Sequence, residues 1–288
     1  MKWVNKIENF LIVDGLNLLF QMFYGMPSRI TSKDGQVIQA VVGFTGALLK
    51  VMKIIKASYV IVLFDGEQGS FRVDENAEYK ANRKDYTDAE DDDNPFLQLA
   101  DIKRALDYLE IKHFEIIERV EADDVISNYV AKLKDNYNIY ILSNDTDFMQ
   151  LVDTNVKVFA YRGKKSIIYD TNAVFNKYGV TPSYIVDYKS LIGDSSDNIR
   201  GIRGIGPKTA QKLINRFGHV EDIVNNKRLI EREYIKSLIN DNADVLFANV
   251  KLIKLSQITE IPYEIEALHY NNYDDYKTME ILKEIELI

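Results

Sequence analysis

Nine acidic residues could do chemistry together in this chain: Asp14, Asp65, Glu121, Asp123, Asp124, Asp145, Asp147, Asp194 and Asp197. They are hard oxygen donors with no histidine among them, a set that favours Mg2+ or Mn2+ over zinc. The chain has no cysteine, and His113, His219 and His269 lie outside every acidic motif. Disulfides, thiolate metal sites and a cysteine nucleophile are therefore excluded. So many negative charges in one pocket would repel one another without cations. Two metal ions ~4 Å apart would use them by clamping the attacking and leaving oxygens of a phosphodiester.

The spacing groups these residues. Glu121-Ala122-Asp123-Asp124 opens a helical pattern that runs to Leu133, and Glu121 and Asp124, three apart, share a face. Acids at a helix start are also favourable by themselves, through the helix dipole. Asp145-Thr146-Asp147 is a D-x-D after a strand-like run, a pattern that turns and phosphatases also show. Asp194 and Asp197 are again three apart and precede a glycine-rich stretch.

The elements that must position them follow from hydrophobic patterning. Phe10-Leu11-Ile12-Val13 runs into Asp14, Tyr59 to Phe64 into Asp65, and Ile139-Tyr140-Ile141-Leu142 toward Asp145 and Asp147. Short continuous apolar runs suit strands buried on both faces. Helical patterns at Gly43–Lys56, Pro95–Leu109 and Ala122–Leu133 lie between them. The alternation predicts an α/β fold with a parallel sheet, whose ligands bind beyond the carboxyl ends of the strands. A lone strand-end aspartate is usually a turn former or helix cap. Four at one edge point to a site.

The 288 residues, 46% hydrophobic and 28% charged, suit one large or two small globular domains. The apolar N-terminal stretch is interrupted by Asp14 and Asn17, which argues for a buried strand rather than a signal peptide or membrane span. The lack of cysteine fits a reducing, cytoplasmic setting. A net charge of −8 looks unsuited to nucleic acid, but bound cations invert the local field of an acidic pocket. The interval 186–218 carries six basic residues against three acidic ones. Within it Gly204-Ile205-Gly206-Pro207-Lys208-Thr209-Ala210 reads as a helix–hairpin–helix, with a tight turn and proline at the first helical position. Backbone amides at such a helix start grip a phosphate without reading sequence.

Leu11-Ile12-Val13-Asp14-Gly15, Phe64-Asp65-Gly66, Phe71-Arg72, Tyr79-Lys80-Ala81-Asn82-Arg83, the E-A-D-D and D-x-D runs, and G-D-S-S-D-N followed by G-I-R-G-I-G-P-K-T-A occur in this order. In this set the chain resembles, over nearly its whole length, bacterial flap endonucleases and the 5′-nuclease domain of DNA polymerase I. The resemblance implies a PIN-like parallel-sheet core at 1–180 with a helical arch at about 70–110. It implies a helix–three-turn–helix DNA-binding module at 181–260, and 261–288 is expected to pack back on the core. It implies a structure-specific 5′ nuclease, a 5′→3′ exonuclease and flap endonuclease acting on 5′-flap, nicked or branched DNA in replication and repair. Mg2+ would be its cofactor, replaceable by Mn2+, with K+ at the hairpin. All nine carboxylates match the family's metal set, with Asp14 and Asp65 at its catalytic centre. Lys80 matches the basic residue that reaches the scissile phosphate, Arg83 its helical neighbour, and Tyr79 an aromatic near the displaced bases. Arg72, Arg200, Arg203, Gly204, Gly206, Lys208, Thr209 and Lys212 complete the expected DNA contacts. A bacterial-type cytoplasmic monomer is expected, with no membrane partner.

Two departures stand out. Gln21 occupies a position where the family usually has arginine, and the arch region holds an acidic run of Asp85, Asp88, Glu90, Asp91, Asp92 and Asp93, expected to be a solvated loop. Two other readings compete. A PIN-type ribonuclease would share the acidic core but would not need the hairpin, and a non-catalytic binder of branched DNA would show lost carboxylates.

Overall fold

A computed structural model describes residues 7–66, 70–84, 86, 90, 93–117, 119–256, 260–270 and 276–288. The first apolar run forms β1 (Asn9–Asp14), followed by α1 (Gly15–Gly25), α2 (Gln39–Ile55), β2 (Ala57–Phe64) and the short α3 (Arg72–Glu75). Then come α4 (Leu99–Tyr108), β3 (Lys112–Glu115), α5 (Ala122–Leu133), β4 (Asn138–Leu142), β5 (Val156–Ala160) and β6 (Ile167–Tyr169). The remainder is mostly helical: α6 (Thr171–Tyr178), α7 (Ile185–Ile192), the small ribbon β7 (Gly193–Asp194) and β8 (Ile199–Arg200), and α8 (Pro207–Phe217). It ends with α9 (Val220–Asn225), α10 (Glu233–Asp241), α11 (Ala243–Ile253) and α12 (Thr278–Glu284).

The sheet order is β3-β2-β1-β4-β5-β6, parallel throughout except for β6. Successive side chains of a strand point to opposite faces, and here both faces are covered. Phe10 and Ile12 pack with Ile126 and Tyr129 of α5, whereas Leu11 and Val13 pack with Leu18, Phe44, Leu106 and Ile281. This double burial is why β1 reads as an unbroken apolar run. Strand order reverses direction between β1 and β4, and the crevice beyond their carboxyl ends is where such sheets bind ligands. Asp14 ends β1, and Asp145 follows β4 by three residues.

The core on the α5 face continues without a break into the helical module, through Leu191, Leu213 and Ile239. The C-terminal segment returns to the sheet: the Tyr270 amide donates to the Ser58 carbonyl (2.8 Å), and Ile281 and Leu282 are fully buried.

Within the span of about 70–110 expected for the arch, α3 and α4 are helical. Stretch 76–84 runs as turns and coil with no helix, so Arg83 is not on a helix. The turns are held by the module instead: the Lys80 amide donates to the Asp197 carbonyl (3.0 Å) and Asn198 Nδ2 to the Glu78 carbonyl (2.7 Å). Asp85, Asp88, Asp91 and Asp92 of the acidic run lie outside the described residues. Asp93 pairs with Arg29 at 3.0 Å, both side chains exposed.

Arg72, expected at the DNA surface, is instead in the interior, 1% exposed. All five guanidinium N–H directions are used. Nε donates to the Leu252 carbonyl (3.0 Å), Nη1 to Glu121 Oε2 (2.6 Å) and Asp124 Oδ2 (2.8 Å), and Nη2 to Asp124 Oδ1 (2.7 Å) and the Lys254 carbonyl (3.3 Å). A planar fork of five donors suits this buried, many-sided role. It ties α3 to the start of α5 and to the end of α11. Truncating one partner of a buried ion pair strands the others, at a cost of about 3–5 kcal/mol. Arg72→Ala is expected to lower the unfolding free energy by about that amount in urea titration. A loss below about 1 kcal/mol, the range of exposed pairs, would contradict the interior role.

Candidate functional site

The carboxylates gather because neighbouring strands end together. β2 leads to Asp65, β1 ends at Asp14 and β4 leads to Asp145, consecutive along the sheet edge. Backbone and hydroxyl donors orient them. Asp14 accepts from the Asn17 amide (3.2 Å) and from Ser143 Oγ (2.7 Å), and Ser143 Oγ in turn accepts from the Asp145 amide (2.9 Å). Asp65 accepts from the Ala122 amide (2.6 Å), which fixes the start of α5 against β2. Gly15 permits the tight entry into α1: a Cβ there would lie 2.4 Å from the Phe64 ring and 2.7 Å from the Leu63 carbonyl. Asp14, Asp65, Glu121, Asp123 and Asp145 line a cleft of about 970 Å³, with Lys80 and Arg83 on its wall.

Burial and like charge dominate the electrostatics. Burial pushes the Asp14 carboxyl up to about 7, reinforced by Asp65 and Asp145 and opposed by Ser143. Burial likewise raises Asp65, and it raises Asp123 strongly, with Asp145, Asp14 and Asp65 adding repulsion. Asp14, Asp65, Asp123 and Asp145 thus feel one another's charge. Asp147 is raised to about 7 by burial and by Asp145, against Lys189. Asp197 is raised by burial and by Asp145, against Lys80 and Arg83. In Glu121 the charges of Lys80 and Arg72 outweigh burial and lower the pKa; in Asp194 Lys189 does the same.

Three cations of the chain itself are built into this field. Lys80 donates to Glu121 Oε1 at 2.5 Å from a backbone with φ +54°, a left-handed conformation that a non-glycine residue adopts at a cost of order 1 kcal/mol. Arg72 holds Glu121 and Asp124. Lys189, 5% exposed on α7, bridges Asp147 and Asp194, at 2.6 Å from Asp194 Oδ2. Among the described residues no three acidic groups converge tightly enough to cage a cation as they stand. The donor set still fits hard divalent ions: it is all oxygen, and burial raises the pKa at Asp14, Asp65 and Asp123, at the last two in spite of nearby Lys80.

Several expected roles change. Asp124 is fully buried and spends both oxygens on Arg72 and the Ser256 amide (2.7 Å), so it is an ion-pair partner rather than a free ligand. Tyr79 is 4% exposed, packs with Ile199, Leu252 and Ile253, and donates to Glu121 Oε2 (3.1 Å). It lines the cleft wall beside Lys80 and holds Glu121 there, mostly buried. Arg83 lies 3.3 Å from Asp197 Oδ1, with about half its side chain exposed. Lys189 counts in the sequence only toward local positive charge. A lysine among Ile185, Tyr188 and Leu191 was its one visible flag, because buried lysines are rare unless paired.

The hairpin forms at the predicted place. Gly206 precedes α8, Pro207 is its first residue, and Gly204 has φ +98°. A Cβ at Gly204 would also meet the Tyr234 hydroxyl at 2.7 Å. Arg200, Arg203, Gly204, Gly206, Lys208 and Lys212 are exposed, and Thr209 is half-buried. Arg200 pairs loosely with Glu78, at 3.5 Å.

Comparison with known proteins agrees with this geometry. The model of the 5′-3′ exonuclease N-terminal resolvase-like domain matches residues 9–179, and that of the 5′-3′ exonuclease C-terminal SAM fold matches 180–276. DNA polymerase I of Caldicellulosiruptor bescii is 33% identical over 281 residues, covering 96% of this chain and 32% of the relative. The thermostable DNA polymerase I of Thermus thermophilus is 34% identical over 257 residues, covering 89% of this chain and 29% of the relative. The chain thus spans about a third of the length of these curated relatives. Among solved structures, the bacteriophage T5 flap endonuclease in a pseudo-enzyme–product complex with DNA and metal ions has a TM-score of 0.72 at 26% identity, over 96% of this chain and 98% of that one. The phage T5 5′-exonuclease with bound zinc ions gives the same values. The catalytic core of Rad2 in complex with DNA substrate shares the fold, with a TM-score of 0.58 at 15% identity over 98% of this chain and 92% of that one. With both domain models matched in order across its length, the chain belongs to the 5′-3′ exonuclease family of nucleases, flap endonucleases included.

Proposed function

We propose that the protein is a structure-specific 5′ nuclease that hydrolyses DNA phosphodiesters at 5′ flaps and nicks, using Mg2+ or, in its place, Mn2+. The observation that carries this reading is the set of mutually repelling carboxylates at the open edge of the sheet, buried Asp14 with half-buried Asp65, Asp123 and Asp145, beside Lys80. These four are the proposed principal metal holders. Asp197 is next to them, and Glu121, Asp147 and Asp194 share their oxygens with Lys80, Arg72 and Lys189. Divalent ions bound there would polarise the phosphodiester and acidify water.

The chain's own groups do the rest. The Lys80 ammonium is held at the cleft wall by Glu121 and is aimed where negative charge grows on the phosphoryl oxygens as water attacks. Arg83, partly exposed, gives a second donor to the same phosphate. The amides and side chains around Gly204, Gly206, Lys208 and Thr209, with Arg200, Arg203 and Lys212, grip duplex phosphates without reading bases. K+ at the hairpin is proposed from the family resemblance. The protein is proposed to act as a monomer in the cytoplasm; the absence of cysteine supports a reducing setting, and no helix among the described residues is long and apolar enough to cross a membrane.

Cleavage of 5′-flap, nicked-duplex and single-stranded DNA, with and without Mg2+, tests the reading. Flap cleavage is expected only with metal, and no cleavage with either Mg2+ or Mn2+ overturns it. Lys80→Ala should lower kcat about 10²–10³-fold, the effect of deleting one transition-state donor; Asp145→Ala should abolish turnover, and full retention of activity in either variant contradicts the assigned role.

Proton linkage gives an independent check. Asp14 and Asp147 hold their proton up to about pH 7 in the folded chain, against an ordinary value of 3.8. The folded state therefore binds protons more tightly than the unfolded chain, and the metal-free protein loses stability as pH rises through that window. A cation replaces those protons, so the Mg2+-induced rise in Tm should be small near pH 5 and grow to a plateau above about pH 7. With Mg2+ about 100-fold above Kd the gain is about 2.7 kcal/mol, or about 5–10 °C. A Tm shift that does not depend on pH would contradict carboxylate binding.

A further inference from the structure

Along the sheet edge β2, β1 and β4 lead to Asp65, Asp14 and Asp145, and the next strand, β5, leads to Tyr161 and Arg162. One strand step is about 4.8 Å, so Arg162 is the neighbour of the carboxylates in the same row. It is exposed and lines the cleft together with Asp145, Asn144 and Gln21.

Its attachments set it apart from the other cations of that cleft. Lys80 is held by Glu121, Arg83 by Asp197, and Lys84 sits over the Tyr86 ring at 4.9 Å. Arg162 is held by neutral amides. Its Nε donates to Asn144 Oδ1 (3.3 Å), Asn144 Nδ2 donates to Gln21 Oε1, and Gln21 Nε2 donates to the Tyr161 carbonyl. This closed chain anchors the guanidinium through Nε. Among the described residues no carboxylate pairs with Arg162, and the paired Nη donors suit a tetrahedral anion.

We propose that Arg162 is a substrate-binding residue that takes a phosphate of the cleaved strand next to the scissile one, and that Asn144 and Gln21 position it. The proposal rests on the nuclease reading above. Lys80 and Arg83 serve the scissile phosphate; Arg162, one strand beyond Asp145, serves a neighbouring phosphate and so sets the register of the strand in the cleft. An internal phosphodiester and a terminal 5′ phosphate share this chemistry.

The test uses the full chain with a 5′-flap DNA, measuring steady-state cleavage in Mg2+ and binding in Ca2+. Arg162→Gln is expected to raise KM about tenfold, the order for one charge-assisted contact, with kcat changed far less. Arg162→Lys should recover part of the loss, and the slope of log K against log salt should fall by about 0.9 in Arg162→Gln. Asn144→Ala should raise KM only while Arg162 is present, which a merely structural role would not require. Single methylphosphonate substitutions locate the contact. At one flanking position the wild type should lose about as much as Arg162→Gln does, and the variant should lose nothing more. If a 5′-hydroxyl end reproduces the loss and no internal position does, the phosphate is the terminal one. Unchanged KM and salt slope in Arg162→Gln, or methylphosphonate penalties identical in variant and wild type, overturn the proposal while leaving the nuclease reading intact. Absence of cleavage by the wild type overturns both.

Discussion

Gathering carboxylates at one edge of a sheet sets desolvation and like-charge repulsion against the fold, and the other features of the molecule answer to that conflict. Asp14 and Asp147 titrate near neutrality and Asp123 well above the usual carboxylate range, because burial and their neighbours disfavour the charged form. The chain answers with cations placed by three different elements. Arg72 comes from α3, Lys80 from a turn in a left-handed conformation, and Lys189 from α7. Each joins parts that are distant in sequence. Arg72 connects α3 to α5 and the end of α11, and Lys189 connects the helical module to the segment after β4. The electrostatics of the cleft and the attachment of the module to the sheet are therefore one interaction seen from two sides.

This arrangement leaves a division within the cleft. At Glu121 and Asp194 the chain's own ammonium and guanidinium groups outweigh burial, and Asp124 is paired with Arg72. At Asp14, Asp65, Asp123 and Asp147 burial prevails, even though Lys80 opposes it at Asp65 and Asp123 and Lys189 at Asp147. A doubly covered sheet with its switch point between β1 and β4 makes that location possible, since both faces are closed by helices and only the strand ends remain open.

Much of this was legible in the residues. Apolar runs ending in aspartate marked β1, β2 and β4, because strands buried on both faces leave no polar alternation to hide them. The hairpin was legible because glycine, proline and a positive φ at Gly204 meet in a pattern with few structural alternatives. The strand β5 was not, since Val156-Lys157-Val158-Phe159-Ala160 is short and interrupted by a lysine. The three-residue spacing of Glu121 and Asp124 correctly implied a shared face, but that face meets Arg72, and no spacing rule reports a partner fifty residues away. Tyr79 and Arg72 belong to motifs that look like surface contacts and are buried by α11, a long-range packing effect outside the reach of local pattern. Lys189 shows the same limit, its role depending on the return of α7 to the sheet edge.

The division of the cleft is tested most directly by the anomalous difference map of a crystal grown with Mn2+. Density is predicted among Asp14, Asp65, Asp123 and Asp145, with Asp124 still paired to Arg72. Density on Asp124, or none within reach of Asp14 and Asp65, would contradict the account.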